Sequence, residues 1–157
     1  MKHIKFFTIS ILAHLMSTVS LSAQNTNAQT VMNNYVAFGK GDIPAILATL
    51  APNCSWYHAG NPAKVPFAGT FNGSTEIGSK FFAVIPTSVQ ITGFEPSLVG
   101  EMNNTVFTSV KIQGTAINTG KAYENTVVMC WTFDANGKVT KYESLFDPAA
   151  IETAFTR

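Results

Sequence analysis

The spacing of apolar residues changes from a helical period at the start of the chain to alternation with polar residues in its second half. Val31, Tyr35 and Phe38 recur at the interval of one helical face, and Gly39 follows them as a stop signal. The residues before this stripe, 24–28, are polar, so a loose lead-in is expected there. The pattern therefore predicts one amphipathic helix that begins after the lead-in and ends at the glycine.

Two further helices are indicated by capping residues and prolines. Asp42 is a typical N-cap, and Pro44 suits the first turn of the helix that follows it. Pro52 should end this second helix, because proline has no backbone N–H to continue it. Ser74 is the predicted cap of a third helix, and Pro86 marks its end. The short connection between the first two helices favours a helical hairpin.

The segment after the second helix has the two-residue alternation of a β-strand. Side chains of a strand point to opposite faces in turn, so Cys54, Trp56 and His58 should share one face. Ser55 and Tyr57 should then lie on the other face. We predict that this strand forms one wall of an apolar pocket, with the imidazole and the indole both directed into it.

The remainder of the chain is predicted to form strands joined by hairpins and a short closing helix. Apolar residues alternate with polar ones over 106–112 and 123–133, and a hairpin signal at 134–137 leads into a strand over 139–146. Pro96 favours an edge position or a bend for the strand that contains it, rather than a central position in the sheet. Helices followed by hairpin-linked strands predict an α+β fold, with one sheet curled around the helices.

Residues 1–23 have the pattern of a secretory signal peptide. Lys2 and Lys5 precede an apolar run that is too short to span a membrane, and small residues follow up to Ala23. Cleavage after Ala28 is the alternative. We therefore expect an exported protein without a membrane anchor, periplasmic or secreted, whose mature part is a single domain over residues 24–157.

The charge balance argues against a nucleic acid partner. The leader contains two of the 10 basic residues, so cleavage leaves eight basic residues against nine acidic ones. Only 12% of the residues are charged, and no basic cluster is present. A nearly neutral surface lacks the electrostatic attraction that nucleic acids and anionic membranes require.

The candidate chemistry is concentrated in one residue. The chain has three histidines, and His58 is the one outside the predicted leader. A lone histidine without carboxylates at ligand spacing does not predict a metal site, and no cofactor motif is present. Cys54 and Cys130 are expected on opposite faces of the sheet, so we predict that they are not bridged even though an exported protein permits a disulfide.

The chain resembles the SnoaL-like, ketosteroid-isomerase-related group of the nuclear-transport-factor-2-like superfamily over residues 30–155. The segments that carry the resemblance are 35–47, 66–69 with 73, 81–82, 114–115 with 119–121, 137–139 and 146–147. The resemblance implies a cone-shaped fold, in which a strongly curved mixed sheet wraps around the N-terminal helices. It also implies a deep, mostly apolar cavity that opens at one end of the cone. Members include isomerases, cyclases, hydrolases and binders without catalytic activity, so the fold alone does not choose a function.

The resemblance also implies roles for particular residues. His58 matches the carboxylate base of ketosteroid isomerase, and an imidazole can exchange a proton near neutral pH. Ser144 stands where many members of the group have an acidic residue. Tyr35 matches the oxyanion donor of the isomerase if one residue is deleted from the following turn, and Asn34 takes that place otherwise.

Two functions are therefore carried forward. In the first, the cavity binds a small, mostly apolar molecule, and His58, Tyr35 and Ser144 catalyse a proton transfer without a cofactor. The predicted ligand contacts are Trp56, Phe81, Thr108, Met129, Trp131 and Tyr142. In the second, the domain is an association module with a sealed core. A homodimer through the outer face of the sheet near Val128, Cys130 and Thr132 is a further hypothesis.

Overall fold

The computed structural model describes residues 24–157, and the predicted signal peptide lies outside them. The helices are α1 Gln24–Lys40, α2 Ile43–Ala48, α3 Gly73–Glu76, a π-helix Ile77–Phe82, α4 Ile85–Ser88 and α5 Ala149–Phe155. The strands are β1 Leu50–His58, β2 Gly69–Asn72, β3 Val89–Met102, β4 Thr105–Ala116, β5 Ala122–Phe133 and β6 Val139–Leu145. The predicted loose lead-in at 24–28 is wrong, since α1 begins at Gln24.

Six strands form one mixed sheet in the order β2-β1-β6-β5-β4-β3. The β1 and β6 strands are parallel, and all other neighbours are antiparallel. The sheet is not closed, and β2 and β3 are its edges. Pro96 lies in β3, so its predicted edge position is confirmed. The α+β fold class is also confirmed.

The α1 helix lies in the hollow of the sheet. Tyr35 on this helix contacts the rings of Phe94 on β3 and Trp131 on β5, at centroid distances of 5.5 and 5.7 Å. Val31, one turn earlier, has no solvent exposure. The apolar stripe that predicted α1 is therefore the face that packs against the sheet, as expected for an amphipathic helix on a curved sheet.

The second helix starts as predicted but ends earlier. The Asp42 carboxylate accepts a hydrogen bond from the backbone N–H of Ala45 at 3.1 Å, which confirms the N-cap. The helix ends at Ala48, and β1 begins at Leu50, so Pro52 belongs to the strand. Leu50 pairs with Val139 on β6, and this pairing converts the end of the predicted helix into strand. The register of β1 shifts between Leu50 and Ser55, and such an irregularity tolerates a proline.

The third helix is broken into three short pieces. The N-cap of α3 is Asn72, so the predicted cap Ser74 is wrong. The backbone N–H of Asn72 donates a hydrogen bond to the Glu76 carboxylate at 2.7 Å. A π-helix follows directly. Pro86 lies in the first turn of α4 rather than at the end of a helix, because its fixed φ suits that position. The π-helix buries Phe81 and Phe82 in the core.

The predicted parity of β1 is confirmed by burial. Cys54, Trp56 and His58 are buried, whereas Ser55 and Tyr57 on the other face are half-buried. The antiparallel partner of this strand is β2, a four-residue edge strand that the sequence pattern did not predict. Both cysteines, Cys54 and Cys130, are free thiols.

Candidate ligand-binding cavity

A cavity of about 80 Å³ lies between α1, the π-helix and the inner face of the sheet. Its lining is almost entirely apolar and aromatic. It consists of Asn34, Tyr35, Phe38, Ile46, Trp56, His58, Phe67, Phe81, Phe82, Ile85, Val89, Ile91, Phe94, Ile112, Tyr123, Asn125, Val127, Met129, Trp131, Tyr142, Phe146 and Ile151. None of these lining residues is an aspartate, glutamate, lysine or arginine. A charged ligand would therefore lose its hydration without gaining an ionic partner from the cavity wall.

The structure brings most of the predicted site residues together. Seven of them line the cavity: Tyr35, Trp56, His58, Phe81, Met129, Trp131 and Tyr142. Asn34, the alternative to Tyr35, lines it as well, and its side-chain amide donates to the Thr49 hydroxyl at 3.0 Å. Thr108 and Ser144 are fully buried but are not among the lining residues. Any influence of Thr108 on a ligand is therefore exerted through its neighbours.

His58 is enclosed by aromatic rings. The rings of Phe146, Phe67 and Phe81 lie at centroid distances of 5.2, 5.4 and 5.7 Å from the imidazole. The side chain is 7% exposed, and neither ring nitrogen has a hydrogen-bond partner within the described part of the chain. Burial lowers the pKa of His58 from 6.5 to about 4, because the charged form loses its hydration. At neutral pH the imidazole is thus uncharged, with one N–H donor and one nitrogen acceptor.

The phenol of Tyr35 is held in a hydrogen-bond network. The indole N–H of Trp131 donates to the Tyr35 oxygen at 2.9 Å, and the Thr108 hydroxyl lies 2.6 Å from the same oxygen. Thr108 in turn donates to the backbone carbonyl of Met129 at 3.4 Å. The Tyr35 hydroxyl therefore has two acceptors within reach, the Thr108 hydroxyl and the Met129 sulfur at 3.5 Å. Burial raises the pKa of Tyr35 above its usual value of 10, so the phenol remains protonated.

Two more polar groups near His58 are buried without partners. The Trp56 indole N–H and the Ser144 hydroxyl make no hydrogen bond to any residue between 27 and 157. Ser144 is the register partner of His58 on the neighbouring strand β6, so the two side chains lie on the same inner face. Buried polar groups are normally paired, and leaving one unpaired costs about 1–3 kcal/mol. The cluster of unpaired groups is therefore the energetically unusual part of the fold.

The wall beside His58 is built from stacked aromatic residues. Trp56 stacks on Tyr142 with a centroid distance of 3.8 Å and an interplanar angle of 20°. Trp131 meets both rings edge-on, at 5.4 Å from Trp56 and 4.7 Å from Tyr142. Burial raises the pKa of Tyr142 well above 10. The Ser144 hydroxyl is close enough to oppose this rise in part, although it lies outside hydrogen-bonding geometry.

Half-buried residues mark the part of the cavity that approaches the surface. Tyr123, Asn125 and Phe146 line the cavity and are only partly buried. Asn125 donates to the backbone carbonyl of Asp147 at 3.0 Å, while its side-chain oxygen is unpaired within residues 27–157. Gly114 on β4 leaves the room for Tyr123, since a Cβ there would lie 3.0 Å from the Tyr123 hydroxyl.

Sequence reasoning missed several cavity residues. Phe38, Phe82, Phe94 and Ile151 line the cavity but were not singled out as ligand contacts. Phe38 lies on the same apolar face of α1 as Tyr35, so its helical spacing could have predicted that it lines the cavity. Phe94 had no such signal, because a register shift of β3 between Ile91 and Gly93 interrupts the alternation that would have shown its face.

Other site types receive no support from the described residues. Between residues 24 and 157, no three side chains of the metal-ligating types come together. No helix in the same part of the chain has both the length and the hydropathy needed to cross a membrane.

The fold and the cavity together define a nuclear-transport-factor-2-like domain, a curved α+β scaffold with an aromatic hollow. The chain matches the model of the SnoaL-like domain over residues 31–142, and it therefore belongs to the SnoaL-like family. This match confirms the resemblance inferred from the sequence. No curated protein matches the chain in sequence.

Solved structures support the same assignment. A nuclear-transport-factor-2-like protein of unknown function from Burkholderia pseudomallei is 29% identical, with a TM-score of 0.75 over 84% of this chain and 98% of that one. TerC, co-crystallised with polyporic acid, is 26% identical, with a TM-score of 0.72 over 83% and 98% of the two chains. A Xanthomonas campestris protein assigned as a polyketide cyclase is 16% identical, with a TM-score of 0.67 over 85% and 98%, and shows the fold alone. The domain thus shares its fold with proteins assigned as polyketide cyclases.

Proposed function

We propose that this domain binds a small, uncharged, mainly aromatic molecule, whose polar group forms a hydrogen bond with His58. The carrying observation is the unpaired neutral imidazole in an apolar cavity whose lining carries no charge. A ligand carbonyl at this point would accept a hydrogen bond from His58 and from the Trp56 indole N–H, which lines the same cavity. The surrounding rings would bury the rest of the molecule, as in most sites for small ligands.

A sealed core is the less favoured alternative. A sealed core would leave the polar groups of His58 and Trp56, which line the cavity, unpaired, and each one would reduce the stability of the fold. The co-crystal of TerC with polyporic acid adds support, because a protein of the same fold and 26% identity was crystallised with a small molecule. Binding is therefore favoured over a purely structural role.

Proton transfer is a second candidate function, favoured by the two unpaired nitrogens of His58. Its low pKa, about 4, keeps the ring in the form that accepts a proton but also makes it a weak base. The Tyr35 hydroxyl already has Thr108 and the Met129 sulfur as partners, so oxyanion stabilisation would require the phenol to change partner. We therefore propose binding as the primary function and catalysis through His58, Tyr35 and Ser144 as an extension of it.

A matched pair of ligands tests the binding proposal. Acetophenone is neutral and carries a carbonyl, whereas benzoate has the same ring and a negative charge. Acetophenone should bind saturably and alter the fluorescence of Trp56 and Trp131, and benzoate should not. His58→Leu should weaken acetophenone binding by about three- to tenfold, the value of one hydrogen bond. Tyr57→Leu on the opposite face is the control. Equal binding of both ligands, or no effect of His58→Leu, would contradict the proposal.

Export and dimerisation are additional proposals. The predicted signal peptide supports export. N-terminal sequencing of the mature protein tests this proposal: the first residue should be Gln24 or, with the alternative cleavage, Gln29. Val128 and Leu145 are register partners on the outer face of the sheet, and they are 44% and 43% exposed. Adjacent exposed apolar side chains on a sheet face support an interface between two copies of the domain.

A further inference from the structure

A second apolar groove lies on the other side of one wall of the cavity. It has a volume of about 430 Å³ and runs between α1 and the edge strand β3. Met32, Val36 and Gly39 line it from the helix, and Pro96 lines it from the strand. Val36 is 56% exposed there. No charged side chain is among the groove's lining residues, and its surface is mainly apolar but more polar than that of the cavity.

The groove and the cavity share four residues: Tyr35, Phe38, Ile91 and Phe94. The Phe94 ring lies 5.2 Å from Phe38 and 5.5 Å from Tyr35, measured between centroids. Phe38 and Phe94 are only half-buried, and both line the two spaces. The four shared residues therefore form the partition between cavity and groove, and Phe94 contacts two of the other three.

The size of the cavity requires a side chain to move before a ring can enter. The cavity measures about 80 Å³ in this structure, whereas a cavity that holds benzene measures about 150 Å³. Tyr35 is held by hydrogen bonds to Thr108 and Trp131. Phe94 has ring contacts and lies on an edge strand, so we expect its ring to move more readily than the hydrogen-bonded Tyr35.

The backbone at Phe94 also favours such a movement. The β3 strand pairs with β4 alone, and its register shifts between Ile91 and Gly93, directly before Phe94. A Cβ at Gly93 would lie 2.7 Å from the side-chain oxygen of Gln113, so a substitution there would displace this flexible side chain. An edge strand with an irregularity can shift a side chain without breaking a second ladder of hydrogen bonds.

We propose that the groove between α1 and β3 is the second half of the ligand site, and that it holds the far apolar end of an elongated, uncharged molecule whose polar end reaches His58. In the ligand-bound state the Phe94 ring turns aside and the two spaces become continuous. The occupant is a second aromatic or aliphatic ring on the ligand, since the groove offers it mainly apolar walls and no ionic partner. This inference rests on the proposed function.

The test compares a one-ring ligand with its two-ring extension. Acetophenone carries the polar group alone, and 4-acetylbiphenyl adds a ring of the size that the groove should bury. The two-ring ligand should bind the unaltered protein at least about tenfold more tightly, from the additional apolar area. Val36→Trp, which fills the groove from an exposed position on α1, should reduce that advantage to within about threefold. The affinity for acetophenone should stay within about twofold.

Val99→Trp is the matched control, because Val99 is 67% exposed on the same edge strand and lines neither space. It should retain the full advantage of the two-ring ligand. If Val36→Trp does not fold, Val36→Lys places a charge in the groove, and Val99→Lys becomes its control.

Each outcome is decisive. Loss of the two-ring advantage in the Val36 variant and its retention in the Val99 variant support the groove. If acetophenone binds through His58 but the second ring adds no affinity, or if the advantage survives in the Val36 variant, the groove proposal is refuted and the proposed function stands. If neither ligand binds the unaltered protein saturably, both proposals fail.

Discussion

Acidification should lower the free energy of unfolding of this protein, because the buried His58 resists protonation more than a solvent-exposed histidine does. The folded-state pKa of His58 is about 4, against 6.5 for an exposed imidazole. Below pH 6.5 the unfolded chain therefore binds a proton that the folded chain does not. The free energy of unfolding must then decrease as the pH falls from 6.5 to 4. A shift of this size corresponds to about 3 kcal/mol of lost stability at pH 4, since one pKa unit is worth about 1.4 kcal/mol.

The assay is urea unfolding at several pH values from about 7 to about 4, followed by the fluorescence of the buried residues Trp56 and Trp131. His58→Leu should abolish this part of the pH dependence. At neutral pH the variant should be as stable as the unaltered protein or more so, because leucine needs no hydrogen bond. Glu76, Glu124 and Glu152 also have lowered pKa values from their hydrogen bonds to neighbouring side chains, but these groups are the same in both proteins.

His58→Gln separates titration from packing. Glutamine does not titrate in this range, so this variant should also lose the pH dependence, but its buried amide should make it less stable than the leucine variant. The reasoning would be refuted if the leucine variant lost stability between pH 6.5 and 4 as steeply as the unaltered protein. A loss of several kcal/mol at neutral pH on replacement by leucine would likewise show that His58 has a partner in the folded state.

Two other predictions test the structure away from His58. Tyr35→Phe should lower the free energy of unfolding by about 1–3 kcal/mol, because it leaves the Trp131 N–H and the Thr108 hydroxyl without their shared partner; urea unfolding measures it, and an unchanged midpoint would show that the network contributes nothing. Val128→Lys should convert a dimer to a monomer by placing two like charges near the centre of the proposed interface, as seen by light scattering. A monomer already present at micromolar concentration in the unaltered protein would remove the basis for the dimer.

Local rules were sufficient for the features that depend on neighbouring residues in the sequence. The alternation of β1 predicted that Trp56 and His58 share the inner face, and the structure buries both. The Asp42 cap was predicted from a residue type and a position, and its hydrogen bond to Ala45 is present. The family was recognisable because the order of short motifs follows the order of elements in the chain. Periodicity and capping act over a few residues, so one sequence is enough to show them.

The tertiary structure alone decided whether each polar group has a partner. His58 was equally compatible with a bonded core imidazole, and its unpaired state depends on three phenylalanines that come from segments around residues 67, 81 and 146. The phenol of Tyr35 was predicted as an oxyanion donor, but Trp131 and Thr108, 96 and 73 residues away, engage it. Leu50 became strand because β6 pairs with it. Contacts between distant segments satisfy or leave open a hydrogen bond, and no pattern within one segment contains that information.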